Sequence, residues 1–554
     1  MIASQSGRTK VVFLGGLGEI GRNMIALESC GRIMVIDAGL SFPNEEMLGV
    51  DLVLPDFSWV VERADRVEAV VLTHGHEDHV GALGWFLREV DVPVHGTPLI
   101  LGIARRRLDE FEIEADLRPL STDQQLHLGP FKCSFLAVSH SIPDAIALAI
   151  ETPDGRIVYT GDFKIDETPI DGRRTDMEGF AQLGREGVDL LLSDSTNAET
   201  PGRTPSEALV GDALRDIFSG AAGRVVVACF ASNMHRIQQV CETAERFGRK
   251  VAFIGRSMIA NMEVGRELGH LDIADRTLVD INEIDSLPPE ETTVICTGSQ
   301  GEPLSALALI SSGEHKFFKI RPEDTVILSA SAIPGNEPAV HRVINSLYRE
   351  GASVFYAESS PVHVSGHAAS EELAQMLEAV KPRHLIPVHG EFRQLAAHRR
   401  IAESVGVDPA AITVVEDGDV IELDEGRVTQ GEPVTAGMVL VDGLGVGDVG
   451  PVVLRDRRHL SEDGILICVL TIDSQTGEIL AGPDLISRGF VFVDESQDLL
   501  DDAADAVAER LAGIDSEAAT DWGALKKACR RSLGEYVWRN TRRRPMILPI
   551  VMEV

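Results

Sequence analysis

"VVLTHGHEDHVGAL", residues 70–83, sets three histidines and two acids in six positions behind a run of β-branched residues. Val70 to Leu72 read as the end of a strand, and Gly75 lets the chain turn sharply after it. A strand that ends in a tight loop can aim alternate residues at one point. Imidazole nitrogens and carboxylate oxygens are the ligands of zinc and similar divalent ions, which makes His74, His76, Asp78 and His79 candidate ligands. A solvated loop seldom needs three imidazoles at that spacing.

Other strand ends carry the same kind of group: His140 in "LAVSHSIPD", Asp162 in "IVYTGDF" and His389 in "LIPVHGE". A lone histidine of this kind is more often a surface or satisfied core residue. Four strand-end loops all so furnished are much harder to dismiss. Together they supply five histidines and two aspartates. One ion can take three nitrogens and an oxygen, a second two of each, with one aspartate bridging. Two ions sharing a bridging hydroxide give a nucleophile at neutral pH and clamp the attacked group.

The rest of the chain sets the frame. At 554 residues it is too long for one ordinary core, so about two to four domains are expected. Its 44% apolar and 25% charged content is globular. No run is long enough to span a membrane, and "MIASQSGRTK" lacks the apolar segment of a secretory signal. Seven scattered cysteines without a C-x-x-C pair argue against a disulfide framework or a cysteine zinc site, and fit a reducing cytoplasm. A net charge of −36 speaks against a generally basic surface for nucleic acid. Bound cations in a deep cleft can reverse that potential locally.

Strand-like runs alternate with helical patterns from the start ("KVVFLGGLGEIG", "RIMVIDAG", "EAVVLTH", "RIVYTGDF", "DLLLSDST"), which predicts an α/β layered domain. Gly15, Gly16, Gly18 and Gly21 imitate a dinucleotide fingerprint, but the next strand follows too soon for a crossover helix, and turn glycines in a hairpin are the better account. After the turn-rich 195–207 a second α/β unit runs to about residue 360. "KPRHLIPVHGE" then reads again as strand into ligand loop. "VDGLGVGDVGP" (441–451) reads as linker. Beyond it, strands near 464–472 and 489–493 with helices at 496–512 and 522–540 make a small C-terminal α/β module.

"THGHEDH" resembles the H-x-H-x-D-H signature of the metallo-β-lactamase fold, and His140, Asp162 and His389 match its later ligand motifs. The resemblance implies one zinc on His74, His76, His140 and Asp162 and another on Asp78, His79, Asp162 and His389, with Mn²⁺ or Mg²⁺ as alternatives. The insertion is similar to the β-CASP domain, with Asp194 in "LLLSDSTN" at its acidic motif, His367 in "HVSGH" at the next and His389 at the third. A histidine at the third goes with RNA-cutting members. End to end, the chain resembles the bacterial ribonuclease J family. The implied architecture is an αββα sandwich in two parts (1–202 and 361–435), a β-CASP domain (203–360), a linker (436–463) and a C-terminal domain (464–554).

The residues support phosphodiester chemistry independently. His363, Val364, Ser365, Gly366 and His367 precede a helix beginning near Ser370, and Ala231, Ser232 and Asn233 lie between a strand and a helix, with His235 and Arg236 following. Hydroxyls, backbone N–H groups and helix N-termini make anion sites; plain N-capping by Ser232 and Ser370 is the rival account and the less favoured one. His367 can protonate a leaving 3′ oxygen with Asp194 orienting its ring, while Asp78 serves the metal-borne nucleophile. The expected activity is 5′-to-3′ exonuclease and endonuclease cutting of single-stranded RNA, preferably 5′-monophosphorylated, in decay and maturation. The family resemblance carries the expectation of a homodimer or homotetramer, with other RNA-decay proteins as further partners. The rivals are a small-molecule hydrolase of the same fold, against which the insertion counts, and a non-catalytic scaffold, against which the complete ligand set counts. Asp51 and Asp442 are hard oxygen donors for a structural Ca²⁺ or Mn²⁺ that the family resemblance hints at; otherwise they are turn and capping acids. "RNTRRRP" (539–545) is the strongest basic run, touching RNA, solvent or a second subunit.

Overall fold

A computed structural model describes residues 8–44, 46–333, 335–473, 478–491, 496–513 and 522–554. The backbone divides into two compact units, Met1–Phe42 with Leu52–Val439, and Pro43–Asp51 with Leu440–Val554.

The first unit contains two packed sheets. One runs, edge to edge, Arg427–Gln430, Val420–Asp424, Thr9–Gly15, Met24–Ser29, Arg32–Ile36, Val67–Val71, Val94–Gly96 and Leu117–Pro119. The other runs His384–Val388, Leu190–Asp194, Gly155–Tyr159, Ile146–Thr152, Phe131–Ala137 and Gln125–Leu128. Alternation along the strands sorts their side chains into two layers. Val11 and Phe13 point into the space between the sheets with Leu148, Ile157 and Leu192. Val12 and Leu14 point the other way, under the helices Leu83–Glu89 and Pro98–Glu110. The second sheet's outer face lies under Met177–Glu186, Ser370–Val380 and Phe392–Ser404. This is the expected αββα sandwich. Thr9–Gly15 and Met24–Ser29 pair antiparallel, so the glycines between them do turn a hairpin.

Inserted between Asp194 and His384 is a parallel five-stranded sheet in the order Lys250–Ile254, Thr292–Cys296, Val225–Ala228, Thr325–Leu328, Ser353–Tyr356. Its strands are apolar on both faces because helices cover both. One of those layers also takes in Leu99, Ile103 and Ile142 from the sandwich and Val362 and Val364 from the returning chain.

In the second unit Ile465–Ile472 lies between Ile479–Arg488, antiparallel, and Met546–Glu553, parallel. Helices Gln497–Ala512 and Trp522–Thr541 pack on one face of this sheet, as expected. The strand expected at 489–493 falls partly outside the described residues, at 492 and 493; the described strand ends at Arg488. Met546–Glu553 was not expected at all, since Pro549 interrupts its apolar run. The linker reading of 436–463 needs correction. Val441 and Asp442 pair with Val446 and Gly445, and Pro451–Asp463 is a helix. Its glycines are turn residues: Gly443 and Gly447 have φ of 58° and 75°.

Glu372 binds the functional end of the first unit together. It is fully buried in the first turn of Ser370–Val380. Its carboxylate accepts from Ile165 N at 2.8 Å, Thr204 N at 2.6 Å and Ala369 N at 2.9 Å, joining three otherwise separate loops. Glu372→Ala would strand three buried donors, each costing about 1–3 kcal/mol. The urea midpoint of the variant should fall by the equivalent of at least about 3 kcal/mol; a midpoint within experimental error of the parent would show that the loops hold without it.

Candidate metal centre

The ligand candidates follow the C-terminal ends of strands, Asp78 and His79 in the short helix Glu77–Val80 after Val67–Val71, and those ends are gathered at one edge of the sandwich. Leu190–Asp194 runs parallel to both Gly155–Tyr159 and His384–Val388, with Asp194 opposite Val388. That register brings the loops of Asp162, Asp194 and His389 side by side. From the facing sheet, Ile36 lies opposite Val71, so Asp37 adjoins the Thr73–His79 loop. Ile146 N donates to Thr73 O at 3.0 Å and fixes the two sheets at this point.

The seven predicted ligands converge. His74, His76, His140 and Asp162 form one donor set, and Asp78, His79, Asp162 and His389 form another, with donor atoms inside 4.8 Å in each. Asp162 is common to both. Its Oδ2 lies 3.4 Å from His74 Nε2, 3.4 Å from His79 Nε2, 3.8 Å from His140 Nε2 and 3.3 Å from His389 Nε2. Its Oδ1 is buried without a hydrogen-bond partner.

Surrounding groups decide which ring nitrogens face inward. Asp37 accepts from Thr73 N and Thr73 Oγ1, both at 2.8 Å, and from His79 Nδ1 at 2.8 Å. Thr73 Oγ1, having spent its proton on Asp37, accepts from His74 Nδ1 at 3.1 Å. His140 Nδ1 donates to Gly366 O at 2.8 Å, and His389 Nδ1 to Asn23 Oδ1 at 2.9 Å. Nε2 of all four rings is thereby turned to the centre. His76 presents Nδ1, 3.1 Å from both His74 Nε2 and His140 Nε2.

Charge points the same way. Burial and neighbouring imidazoles hold His74 and His140 well below the usual histidine value, and burial, opposed in part by Asp78 and Asp162, brings His76 to about 4. With these rings held toward the neutral form, His76 Nδ1 carries at most one proton to share between His74 Nε2 and His140 Nε2, so at least one pair of nitrogens meets lone pair to lone pair at 3.1 Å. That contact is repulsive unless a cation lies among them. His79 is the counter-case: burial opposes its charge, but Asp162, Asp78 and Asp37 raise it well above the usual value. A divalent cation answers the same carboxylates. Together with the orphaned Asp162 Oδ1, the donor set fits metal ions.

His367 stands apart. A third donor set of Asp162, Asp194, His367 and His389 exists, but His367 Nδ1 is already bonded to Asp194 Oδ2 at 2.8 Å. Burial lowers the His367 pKa, yet Asp194, with Asp162 and Asp78, outweighs it and raises the ring to about 9. Asp194 is held in turn by Thr196 N at 3.0 Å. The loop carrying His367 is pressed against the metal ligands. A Cβ on Gly366 would meet His140 Cε1 and Nδ1 at 2.7 Å, so only glycine fits.

The remaining expected residues divide. Ser365 Oγ accepts from His367 N at 3.1 Å. Val364 is buried, and His363 Nδ1 is buried without a partner, its ring driven down to about 3 by burial, Arg236 and Lys164. Asn233 is an N-cap: its Oδ1 accepts from Arg236 N at 3.0 Å. Ala231 and Ser232 are half-buried in the loop before it. Arg236 is not a phosphate contact; it is fully buried on Glu207, Ser329 and Val362 O. Asp51 Oδ2 accepts from Gly443 N at 2.8 Å and Asp442 pairs with Arg457, so both carboxylates have protein partners. Sequence reading passed over Asp37 and Asn23. Asp37 carried a usable signal, an acid at a strand end in "VIDAG".

Comparison with known proteins agrees with this geometry. Residues 17–216 match the metallo-beta-lactamase superfamily, 222–347 the beta-CASP domain of ribonuclease J, 357–412 the RNA specificity domain of Zn-dependent metallo-hydrolases, and 452–554 the ribonuclease J C-terminal domain. The chain is 43% identical over 547 residues to ribonuclease J2 of Bacillus subtilis, covering 98% of each. It is 44% identical over 550 residues to ribonuclease J of Mycobacterium tuberculosis, covering 99% of this chain and 98% of that one. A solved structure of an Enterococcus faecalis protein of unknown function shares the fold, with a TM-score of 0.52 at 16% identity over 75% of this chain and 100% of that one. With such identity over nearly its whole length, the chain belongs to the ribonuclease J family.

Proposed function

We propose that the protein is a two-metal ribonuclease that combines 5′-to-3′ exonuclease and endonuclease cutting of single-stranded RNA in cytoplasmic decay and maturation. The observation that carries this reading is the 2.8 Å His367–Asp194 bond beside two ligand sets that share Asp162, in a chain of this family. The five imidazoles of the two ligand sets favour zinc, with Mn²⁺ or Mg²⁺ able to take the same donors. Bound ions supply a lowered water pKa and neutralise the charge of the attacked phosphate.

The protein's own groups do the rest. With Nδ1 held by Asp194, the His367 ring keeps Nε2 free to hand a proton to the leaving 3′ oxygen. The raised His367 pKa keeps that proton available at neutral pH. Asp194 positions the ring and stabilises its charged form. Ser232, His363 and Ser365 offer hydroxyl and imidazole donors to phosphates beside the cut. None of these reads a base edge, which leaves sequence preference weak. All seven cysteines are free, in keeping with a reducing compartment. Among the described residues no helix is long and apolar enough to cross a membrane.

His76→Ala and Asp78→Ala should abolish cleavage and lower bound metal below about two ions per chain while leaving the urea midpoint nearly intact. Full turnover in metal-replete buffer would refute the two-ion assignment. His367→Ala should slow cutting by roughly 10²–10⁴ with metal content unchanged; loss of an ion would make His367 a ligand instead. Ser365→Ala should slow decay of 5′-monophosphorylated RNA more than internal cutting of a circular substrate, as end-labelled and circular RNAs assayed side by side would reveal. Equal slowing of both would mean that Ser365 serves the general backbone and senses no 5′ end.

A further inference from the structure

Residues 522–544 carry two lysines and six arginines against one acid, Glu535, a net of +7 within a chain of net −36. The local reversal is spatially organised. In Trp522–Thr541, Leu525, Cys529, Leu533 and Val537 recur at every fourth position and are buried against Leu500, Val507 and Leu511. Lys527, Arg530, Arg531 and Arg539 are exposed, as are Arg542 to Arg544 in the turn that follows. The charge therefore lies on the side away from the core. It is also largely uncompensated. Arg531 pairs with Glu535 at 2.9 Å, but among the described residues no ion pair engages the other seven basic side chains.

Aromatic surface is set into this face. Trp522 and Trp538 are 42% and 38% exposed. Lys526 Nζ lies 5.7 Å from the Trp522 ring centre, and the guanidiniums of Arg542 and Arg544 lie 5.6 and 4.5 Å from that of Trp538. Exposed indoles are expensive in water, and this chain is only 5% aromatic. Basic side chains for phosphates beside exposed rings for bases is the arrangement that binds single strands without reading sequence.

We propose that the exposed face of Trp522–Thr541 and the turn Arg542–Arg544 form an auxiliary binding surface for single-stranded RNA. The proposal rests on the ribonuclease reading for its ligand, yet is separate from the metal centre. Guanidiniums and ammonium groups meet phosphates, and Trp538 stacks on a base. A duplex would meet the charges but could not offer a base to the ring. The surface would raise the affinity for long substrates and leave the chemical step alone.

The test uses the full chain with Arg539→Ala/Arg542→Ala/Arg544→Ala and, separately, Trp538→Ala; Arg543 is spared because its guanidinium bonds Phe490 O at 2.9 Å. Binding is read by fluorescence anisotropy in chelator, where cutting is silent, with a labelled single strand of roughly 40 nucleotides and a duplex of equal length. The triple variant should bind the single strand at least about tenfold more weakly, with a log K against log[salt] slope smaller by about 2. Trp538→Ala should weaken the single strand by about tenfold and spare the duplex. On a short oligonucleotide with metal present, kcat of both variants should equal that of the parent. Parental single-strand affinity in the triple variant overturns the proposal. So does an equal loss on both ligands in Trp538→Ala, and so does a change in oligomer mass with unchanged RNA affinity, which would make the face a protein contact. If the parent binds single strands through this face but cuts no RNA, the ribonuclease reading fails and the surface stands. Arg→Lys at the three positions keeps the charge and should retain most of the affinity, which excludes unfolding as the cause.

Discussion

A single buried carboxylate governs the functional end of this molecule. Asp162 is 2% exposed, and moving an ionised carboxylate out of water costs several kcal/mol unless opposite charge surrounds it. The structure gathers four imidazole Nε2 atoms within 3.8 Å of its Oδ2 and leaves Oδ1 unpaired. Burial holds three of the five ligand rings toward the neutral form, which leaves their inner nitrogens as lone-pair donors. The surrounding bonds all serve that arrangement. Asp37, Thr73, Asn23 and Gly366 O hold the outer ring nitrogens and thereby commit the inner ones. Even the backbone bends to it. Asp37 and His389 sit at φ of 60° and 53°, a conformation costly for residues with a Cβ and retained where surrounding structure enforces it.

Cross-ties of ionic and polar groups hold the insertion to the sandwich. Arg236, at the first helix after the central strand Val225–Ala228, bonds Glu207 on one side and Val362 O on the other, where the chain enters and leaves. Lys164, two residues past Asp162, is 1% exposed and lies 3.5 Å from Asp166 Oδ2, whose carboxylate also accepts from Glu207 N. Such groups gain little over apolar packing but lose heavily when one partner goes, which fixes the joint in one arrangement.

How much could be read beforehand depended on whether a signal was local. His74, His76, Asp78 and His79 were legible because one strand and one loop carry them, and His140, Asp162, Asp194 and His389 because each closes an apolar run. Their grouping into two sets came from family resemblance, since nothing within any one segment says which loops meet. Asn23 and Glu372 were invisible for the same reason: an amide after a glycine turn and a glutamate in a helix look ordinary until partners hundreds of residues away are placed. The role of Arg236 was equally hidden, since only its burial shows it spent on Glu207 and Val362 O. At the C-terminal end, glycine spacing in 441–451 suggested a tether where turns were needed, and Pro549 hid a strand whose partner supplies the pairing.

The pairing of Leu190–Asp194 with His384–Val388 has a consequence for timing. The two strands adjoin, yet the whole inserted sheet lies between them in the chain. Contacts across such a gap are among the last to form, because a long loop must be closed before they return anything. His367 and His389 both follow the last strand of the inserted sheet, Ser353–Tyr356. A chain emerging from the ribosome therefore holds every strand of its inserted sheet before it possesses His367, the closing strands of the sandwich or the second ligand set. The donors of the catalytic end are therefore assembled last, when the returning chain closes the sandwich.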